Sequence, residues 1–322
     1  FEYLVRKGLL KHNVKFIFEG EEEVGSKSLP AWVEANKERL ACDVILVSDT
    51  TMISDKVPSI NCGMRGVTYL QVNVQGPDKD LHSGHYGGAV ANPINTLCDM
   101  ISTLIDEDGR VTIPGFYDDV VEVSDEDRKE LARAPFDIDE YKESIGIDEV
   151  KGEKGYTTLE RTAIRPCLDV CGIWGGYTGV GSKTVLPSEA HAKISMRIVP
   201  NQKADKIIDL AAKHILSIAP PYAHVTVEKM EAGNGFLIPI TSSAYQAASK
   251  AMAEVYGIEP VPSRGGGSIC VLADMRNILG ADPLLMGFGL ERDTIHSPNE
   301  SYLIKQLFAG IESIALFYEY WK

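Results

Sequence analysis

The chain has 322 residues, 44% hydrophobic and 24% charged, an ordinary balance for a soluble globular protein, and its length predicts about two domains. Lys plus Arg total 32 against 46 for Asp plus Glu, a net charge of −14; with no basic cluster, such a surface repels phosphate backbones and argues against a nucleic-acid partner. No apolar run approaches the roughly 18 residues that span a bilayer, so no membrane partner is expected.

Phe1 opens in what reads as a helix, Phe1 to Leu10, with no initiator Met or signal peptide before it, so a fragment or processed form is expected. Lys15-Phe16-Ile17-Phe18 predicts a short strand that delivers Glu19 to Glu23 at its end. Ser26 or Ser28 is placed to cap a helix running to about Ala41. Asp43 to Val47 reads as a buried strand ending at Ser48-Asp49. Strand, helix, strand predicts an α/β unit with a parallel sheet, in which ligands gather beyond the carboxyl ends of strands. Glu22, Glu23 and Asp49 then share one edge.

From Gly66 the pattern changes. Thr68, Leu70, Val72 and Val74 alternate with polar neighbours and predict a half-buried strand. Asn92 and Pro93 form an N-cap and first-turn pair before a helix with Ile94, Leu97, Ile101 and Leu104 on one face. Residues from about Asp106 to Pro166 are acidic, weakly periodic and read as an insertion. A strand over Ala190 to Ile198, a helix over Ala204 to Ile218 and a strand at Val225 and Val227 complete a β-α-β-α-β unit of α+β type. After Gly233 the first pattern resumes: a helix from Ala244 to Tyr256 closed by Gly257, a strand at Leu284 to Met286 and a helix from Tyr302 to Trp321. The order predicts one domain, 1–65 with 231–322, interrupted by another, 66–230. Six scattered cysteines call for no disulfide framework and suit a cytoplasmic location; Cys167 and Cys171 read as core packing.

Six stretches carry candidate chemistry. Glu21-Glu22-Glu23 reads alone as a solvated acidic turn, yet neighbouring carboxylates also divide labour between holding a divalent metal and moving a proton. Asp49 alone is a turn former; beside the acidic run it becomes a candidate ligand. His82 and His85 lie in the Gly-rich loop Asp80 to Gly88, where core burial is unexpected. Arg197 stands on the opposite strand face from Ile194, Met196 and Ile198, as a solubilising side chain or a fork for a carboxylate. Ser263 to Ser268 lacks the ending of a phosphate-binding loop, but its backbone amides suit a carboxylate. His296, before the last helix, is a cap or a metal ligand.

In this order, Glu22-Glu23-Val24-Gly25-Ser26, Asp80-Leu81-His82-Ser83-Gly84-His85-Tyr86-Gly87-Gly88, Lys183-Thr184-Val185-Leu186-Pro187, Ser195-Met196-Arg197-Ile198-Val199-Pro200-Asn201, Gly266-Gly267-Ser268 and His296-Ser297-Pro298-Asn299-Glu300 resemble the dinuclear zinc metallopeptidase family M20, over essentially the whole chain. The branch with cytosolic non-specific dipeptidase and carnosinase is the most similar. The resemblance implies a zinc-exopeptidase-like α/β catalytic domain (1–65 and 231–322) with an inserted, ferredoxin-like α+β lid and dimerisation domain (66–230). It implies metal-dependent dipeptide hydrolysis with two divalent ions, zinc or else manganese or cobalt. Glu22 is then the general base; Glu23, Asp49 and His296 are metal ligands. His82 reaches across a homodimer interface to the oxyanion, while Arg197, Thr184, Arg264, Gly267 and Ser268 serve the substrate's carboxylate.

The family's upstream His-x-Asp motif and bridging Asp have no counterpart before the acidic run. The chain as given is therefore expected to bind one metal ion or none and to be inactive alone. Removal of an acyl group from an N-acyl amino acid is the alternative enzyme reading; a non-catalytic dimerising fragment or degenerate relative is the alternative class.

Overall fold

A computed structural model describes residues 1–267 and 269–322. They form two compact units, one of residues 1–64, 123–138 and 236–322, the other of residues 65–122 and 139–235.

The first unit holds strands β1 (Val44–Val47), β2 (Ser59–Met64), β9 (Phe236–Leu237), β10 (Val261–Gly265) and β11 (Asp282–Leu285), ordered β1-β11-β2-β10 with β9 beside β2. β1 and β11 run parallel, with Val47 opposite Leu285; β2 and β10 run parallel to each other and against that pair. Its helices are α1 (Glu2–Arg6), α2 (Leu29–Ala35), α3 (Lys37–Leu40), α6 (Asp125–Leu131), α10 (Ser243–Tyr256), α11 (Cys270–Leu279) and α12 (Ile304–Tyr320). The sequence explains α10 closely. Ser242 accepts the Tyr245 N–H at 3.2 Å, Gly257 takes the left-handed turn at φ 72°, and Tyr245, Ala248, Ala251 and Met252 bury one face. That face joins Ile60, Leu284, Leu285 and Phe317 in the core.

The second unit is built on an antiparallel sheet ordered β5-β7-β3-β8, from β3 (Gly66–Gln75), β5 (Cys167–Gly175), β7 (Glu189–Ile198) and β8 (His224–Gly233). With α5 (Pro93–Ser102) and α9 (Ala204–Ser217) the chain order is β-α-β-β-α-β, the ferredoxin-like arrangement. Leu70, Val72, Ala192, Ile194, Met196 and Ile198 on the strands pack with Leu97, Ile207, Ile208 and Ala211 on the helices. A ribbon of β4 (Leu81–His82) and β6 (Val185–Leu186), with short helices α4 (Ser83–Tyr86), α7 (Ile138–Ile145) and α8 (Thr158–Ala163), completes the elements. Arg165, 2% exposed, forks onto Glu153, 5% exposed, with two bonds of 2.7 Å, and fastens the region between α8 and β5.

Several expectations are corrected. Lys15 to Phe18 forms no strand: Phe16 is 60% and Phe18 90% exposed, and an extended apolar segment without a ladder partner is not stable as sheet. The first helix stops at Arg6. The helix expected as far as Ala41 breaks at Asn36, whose side-chain amide donates to the Trp32 carbonyl at 2.9 Å, so α2 and α3 are separate. β1 is half-buried, because it lies at the sheet's edge. Cys171 is exposed on edge strand β5 and takes no part in the core. The acidic stretch is not wholly an insertion within the second unit, since 123–138 packs with the first. Among the described residues no helix is long and apolar enough to cross a membrane.

Candidate active site

The acidic run folds as a single turn of 3-10 helix, Glu22–Val24, and its carboxylates have different tasks. Glu19 accepts the Ser26 hydroxyl at 2.8 Å, and Glu21 accepts both the backbone N–H and the hydroxyl of Ser28. Those bonds to Ser28 hold the Glu21 carboxyl below its ordinary pKa. Ser26 is buried with φ 47°, a left-handed backbone that its own bond to Glu19 helps to fix. Glu19 and Glu21 thus tie the turn together. Glu22 and Glu23 are left for chemistry, a division that depends on hydroxyls five or more residues downstream.

Asp49 follows β1 in a segment held by continued pairing with the end of β11. Met286 donates to Val47 at 2.9 Å, Gly289 to Thr50 at 3.3 Å and Met52 to Gly289 at 2.8 Å. A Cβ on Gly287 would stand 2.0 Å from the Thr50 carbonyl oxygen, so only glycine permits this approach. His296 is presented by a turn in which Thr294, His296 and Asn299 are all left-handed, at φ 53°, 61° and 65°. Buried Asp293 anchors it: its carboxylate accepts the Leu290 N–H at 2.7 Å and its carbonyl the Ser301 N–H at 2.9 Å. Strained backbone held by satisfied polar groups is typical of ligand-bearing turns.

These segments converge. His296 Nε2 lies 3.2 Å and 3.1 Å from the two Glu23 carboxylate oxygens. Burial raises the Glu22 pKa above its ordinary value, and the charges of Asp49, Glu23 and Glu19 raise it further against the opposing effect of His296. Carboxylate and imidazole donors beside an excess of negative charge fit a divalent cation in kind and in charge. Among the described residues, no three such groups stand close enough together to hold an ion.

The second unit contributes a separate set. Asp80 accepts the Ser188 N–H at 3.0 Å and its hydroxyl at 3.1 Å, fastening the loop that carries His82. A Cβ on Gly87 would lie 2.4 Å from the Ser83 carbonyl oxygen, which accounts for the glycine there. His82 Nδ1 accepts the Gly84 N–H at 3.1 Å, and Nε2 faces the Thr184 hydroxyl at 3.3 Å. Arg197 sits in register with Val67 and Cys167, on the sheet face opposite Ile194, Met196 and Ile198.

Arg264, in the first unit, lies near the end of β10 with its guanidinium 2.6 Å from Asp127 of α6. Asp127 was missed from sequence, because its partner is 137 positions away. The two border a cavity of about 190 Å³ with Cys62, Leu131, Ile238 and Pro262. Gly267 lies beyond β10 and is exposed; Ser268 falls outside the described residues.

The profile of Peptidase family M20/M25/M40 matches residues 1–320. The chain is 32% identical over 305 residues to the Cys-Gly metallodipeptidase dug1 of Schizosaccharomyces pombe, covering 93% of this chain and 64% of that protein. It is 30% identical over 311 residues to the human Beta-Ala-His dipeptidase, covering 95% and 61%. Among solved structures, the M20 family metallo-carboxypeptidase Sso-CP2 from Sulfolobus solfataricus matches with a TM-score of 0.89 at 32% identity, covering 99% of this chain and 73% of that one. The chain therefore spans less than two thirds of the length of those two curated relatives. The likeness bears out the expected α/β class, and with a match over residues 1–320 the chain belongs to Peptidase family M20/M25/M40.

Proposed function

We propose that this protein hydrolyses the peptide bond of dipeptides with divalent metal ions as cofactor. The observation that carries the reading is the meeting of His296 and Glu23, 3.1 Å and 3.2 Å apart at the two carboxylate oxygens, next to Glu22, in a chain similar to metallodipeptidases over most of its length. Glu23 and His296, already in contact, and Asp49 would each supply a ligand to a metal site that the described residues complete only in part, two ions in the full site, with zinc preferred and manganese or cobalt as alternatives. When bound, such ions polarise the scissile carbonyl and acidify the attacking water.

The chain's own residues supply the rest. A Glu22 Oε accepts a proton from water as the new C–O bond forms, then returns it to the leaving amine nitrogen as C–N breaks. A raised pKa suits both halves, since the group must give back what it takes. His82 donates its Nε2–H to the developing oxyanion. Arg197 and Thr184, with Arg264, Gly267 and Ser268, bind the substrate's terminal carboxylate.

On this reading the second unit, expected at 66–230, is the lid and the homodimerisation domain. Support comes from β5, an edge strand that exposes Ile173 at 51% and Trp174 at 43%. A cytoplasmic location is supported by six free cysteines.

The likeness to a metallo-carboxypeptidase favours a second reading, release of a C-terminal residue from longer peptides. Measuring kcat/KM for a dipeptide, a tripeptide and an N-acetyl amino acid in the presence of zinc or manganese separates the readings. The account expects the dipeptide to lead. A leading tripeptide selects the carboxypeptidase reading, and a leading N-acyl amino acid selects deacylation.

A further inference from the structure

The loop carrying His82 holds a second imidazole, His85, at the one position that the pattern Asp-Leu-His-Ser-Gly-x-Tyr-Gly-Gly leaves open. The two rings stack with centroids 4.5 Å apart and planes 29° apart. Their spacing explains the contact: His82 is the N-cap of α4 and His85 lies three residues on, so both side chains share one side of a single turn.

His82 is oriented in its own plane by two bonds. Nδ1 accepts the Gly84 N–H at 3.1 Å, so in the neutral ring the proton sits on Nε2, which faces Thr184 Oγ1 at 3.3 Å. The tautomer is therefore the one in which Nε2 donates. In-plane bonds at both nitrogens still leave the ring free to tilt, and both histidines are exposed, so no buried neighbour stops it. A ring laid against one face restrains that tilt. A long Thr184 contact also leaves Nε2–H available to exchange its acceptor for a substrate oxygen.

We propose that His85 is a positioning residue for His82: by stacking on the imidazole, it holds the ring where Nδ1 keeps the Gly84 bond, and so keeps the Nε2–H donor aimed and in one tautomer. The inference rests on His82 serving as the oxyanion donor. It requires a flat ring at position 85 and no charge or hydrogen bond from that ring.

The test uses the full chain with ¹⁵N-labelled histidine, reading the His82 ring nitrogens by ¹H–¹⁵N correlation alongside kinetics with zinc and a dipeptide. In the unaltered protein His82 carries its proton on Nε2. H85A is expected to give a tautomer-averaged His82 signal and to lower kcat about tenfold, with KM within about twofold. H85F, which restores a flat ring, is expected to restore both. A His82 signal in H85A that still reports a fixed Nε2 proton overturns the proposal, as does failure of H85F to restore it. An averaged signal with unchanged kcat keeps the stacking contact but overturns the donor role of His82. The ring signals report without turnover, so failure of the hydrolytic reading leaves the positioning test intact.

Discussion

Arg197 stands one residue from the end of β7, a ten-residue strand laddered on both sides, to β3 and to β5. Glu22, Glu23 and His296 sit on turns of the first unit whose places depend on side-chain bonds, Ser26 to Glu19, Ser28 to Glu21 and Leu290 to Asp293, while Asp49 follows β1 in a segment held by a few backbone bonds. A ladder spreads its restraint over many backbone bonds, whereas a turn concentrates it in one or two side chains. The second unit should therefore answer to changes in its packing and its buried ion pair. The turns of the first should answer to single hydroxyls and glycines that touch no substrate.

The largest expected effect lies in the second unit. R165L removes the forked partner of buried Glu153, leaving its carboxylate beside Arg110 at 2.9 Å, and should cost about 3–5 kcal/mol in urea unfolding. A cost below about 1 kcal/mol would mean the pair pins nothing. G287A, in the first unit, drives a Cβ towards the Thr50 carbonyl and should cost about 1–3 kcal/mol while disturbing the Asp49 segment. Full stability in that variant would show that the approach of β11 to Thr50 is not enforced.

A third change sharpens the contrast. S26A removes a buried hydroxyl bonded to a carboxylate and should cost about 1.5–3 kcal/mol. S26G suits the φ of 47° better but loses the same bond, so it should fall between S26A and the parent. Equal stability of all three would place the restraint on the acidic turn elsewhere.

The smallest effect is one of pH. Partial burial opposes ionisation of Asp127, but the Ser124 hydroxyl bond and the Arg264 charge outweigh it and lower the folded pKa. A carboxylate with a depressed folded pKa contributes its stability above the unfolded pKa, about 3.9, and loses it as pH falls through the lower folded value. Amide exchange in α6 should therefore quicken as pH falls below about 4, after correction for intrinsic rates. In D127N that pH dependence should vanish; its persistence would separate α6 docking from the Asp127–Arg264 pair.

What could be foreseen from sequence follows the same division. α10 and α5 were readable because Gly257 closes the one and Asn92 with Pro93 opens the other. β3 and β7 were readable because apolar residues fall at every second position, from Leu70 to Val74 in one and from Ala190 to Ile198 in the other. β5 was not: its register shifts between Val170 and Gly172, so the period of two slips inside the strand. Lys15 to Phe18 misled because strand propensity says nothing about a partner. Glu22, Glu23, Asp49 and His296 could be named by motif, but the structural tasks of Glu19 and Glu21 could not, since they depend on a left-handed Ser26 and on the Ser28 hydroxyl. Asp127 was hidden by its distance in sequence from Arg264.

The central claim is that Glu22 moves the proton while Glu23, Asp49 and His296 hold the metal. Its most direct test is E22Q in the full-length protein, assayed for bound zinc by elemental analysis and for dipeptide turnover in the same preparation. The account predicts unchanged metal content and a fall in kcat of about 10²–10⁴-fold. Turnover retained within about tenfold, or zinc lost along with turnover, would contradict that division of labour.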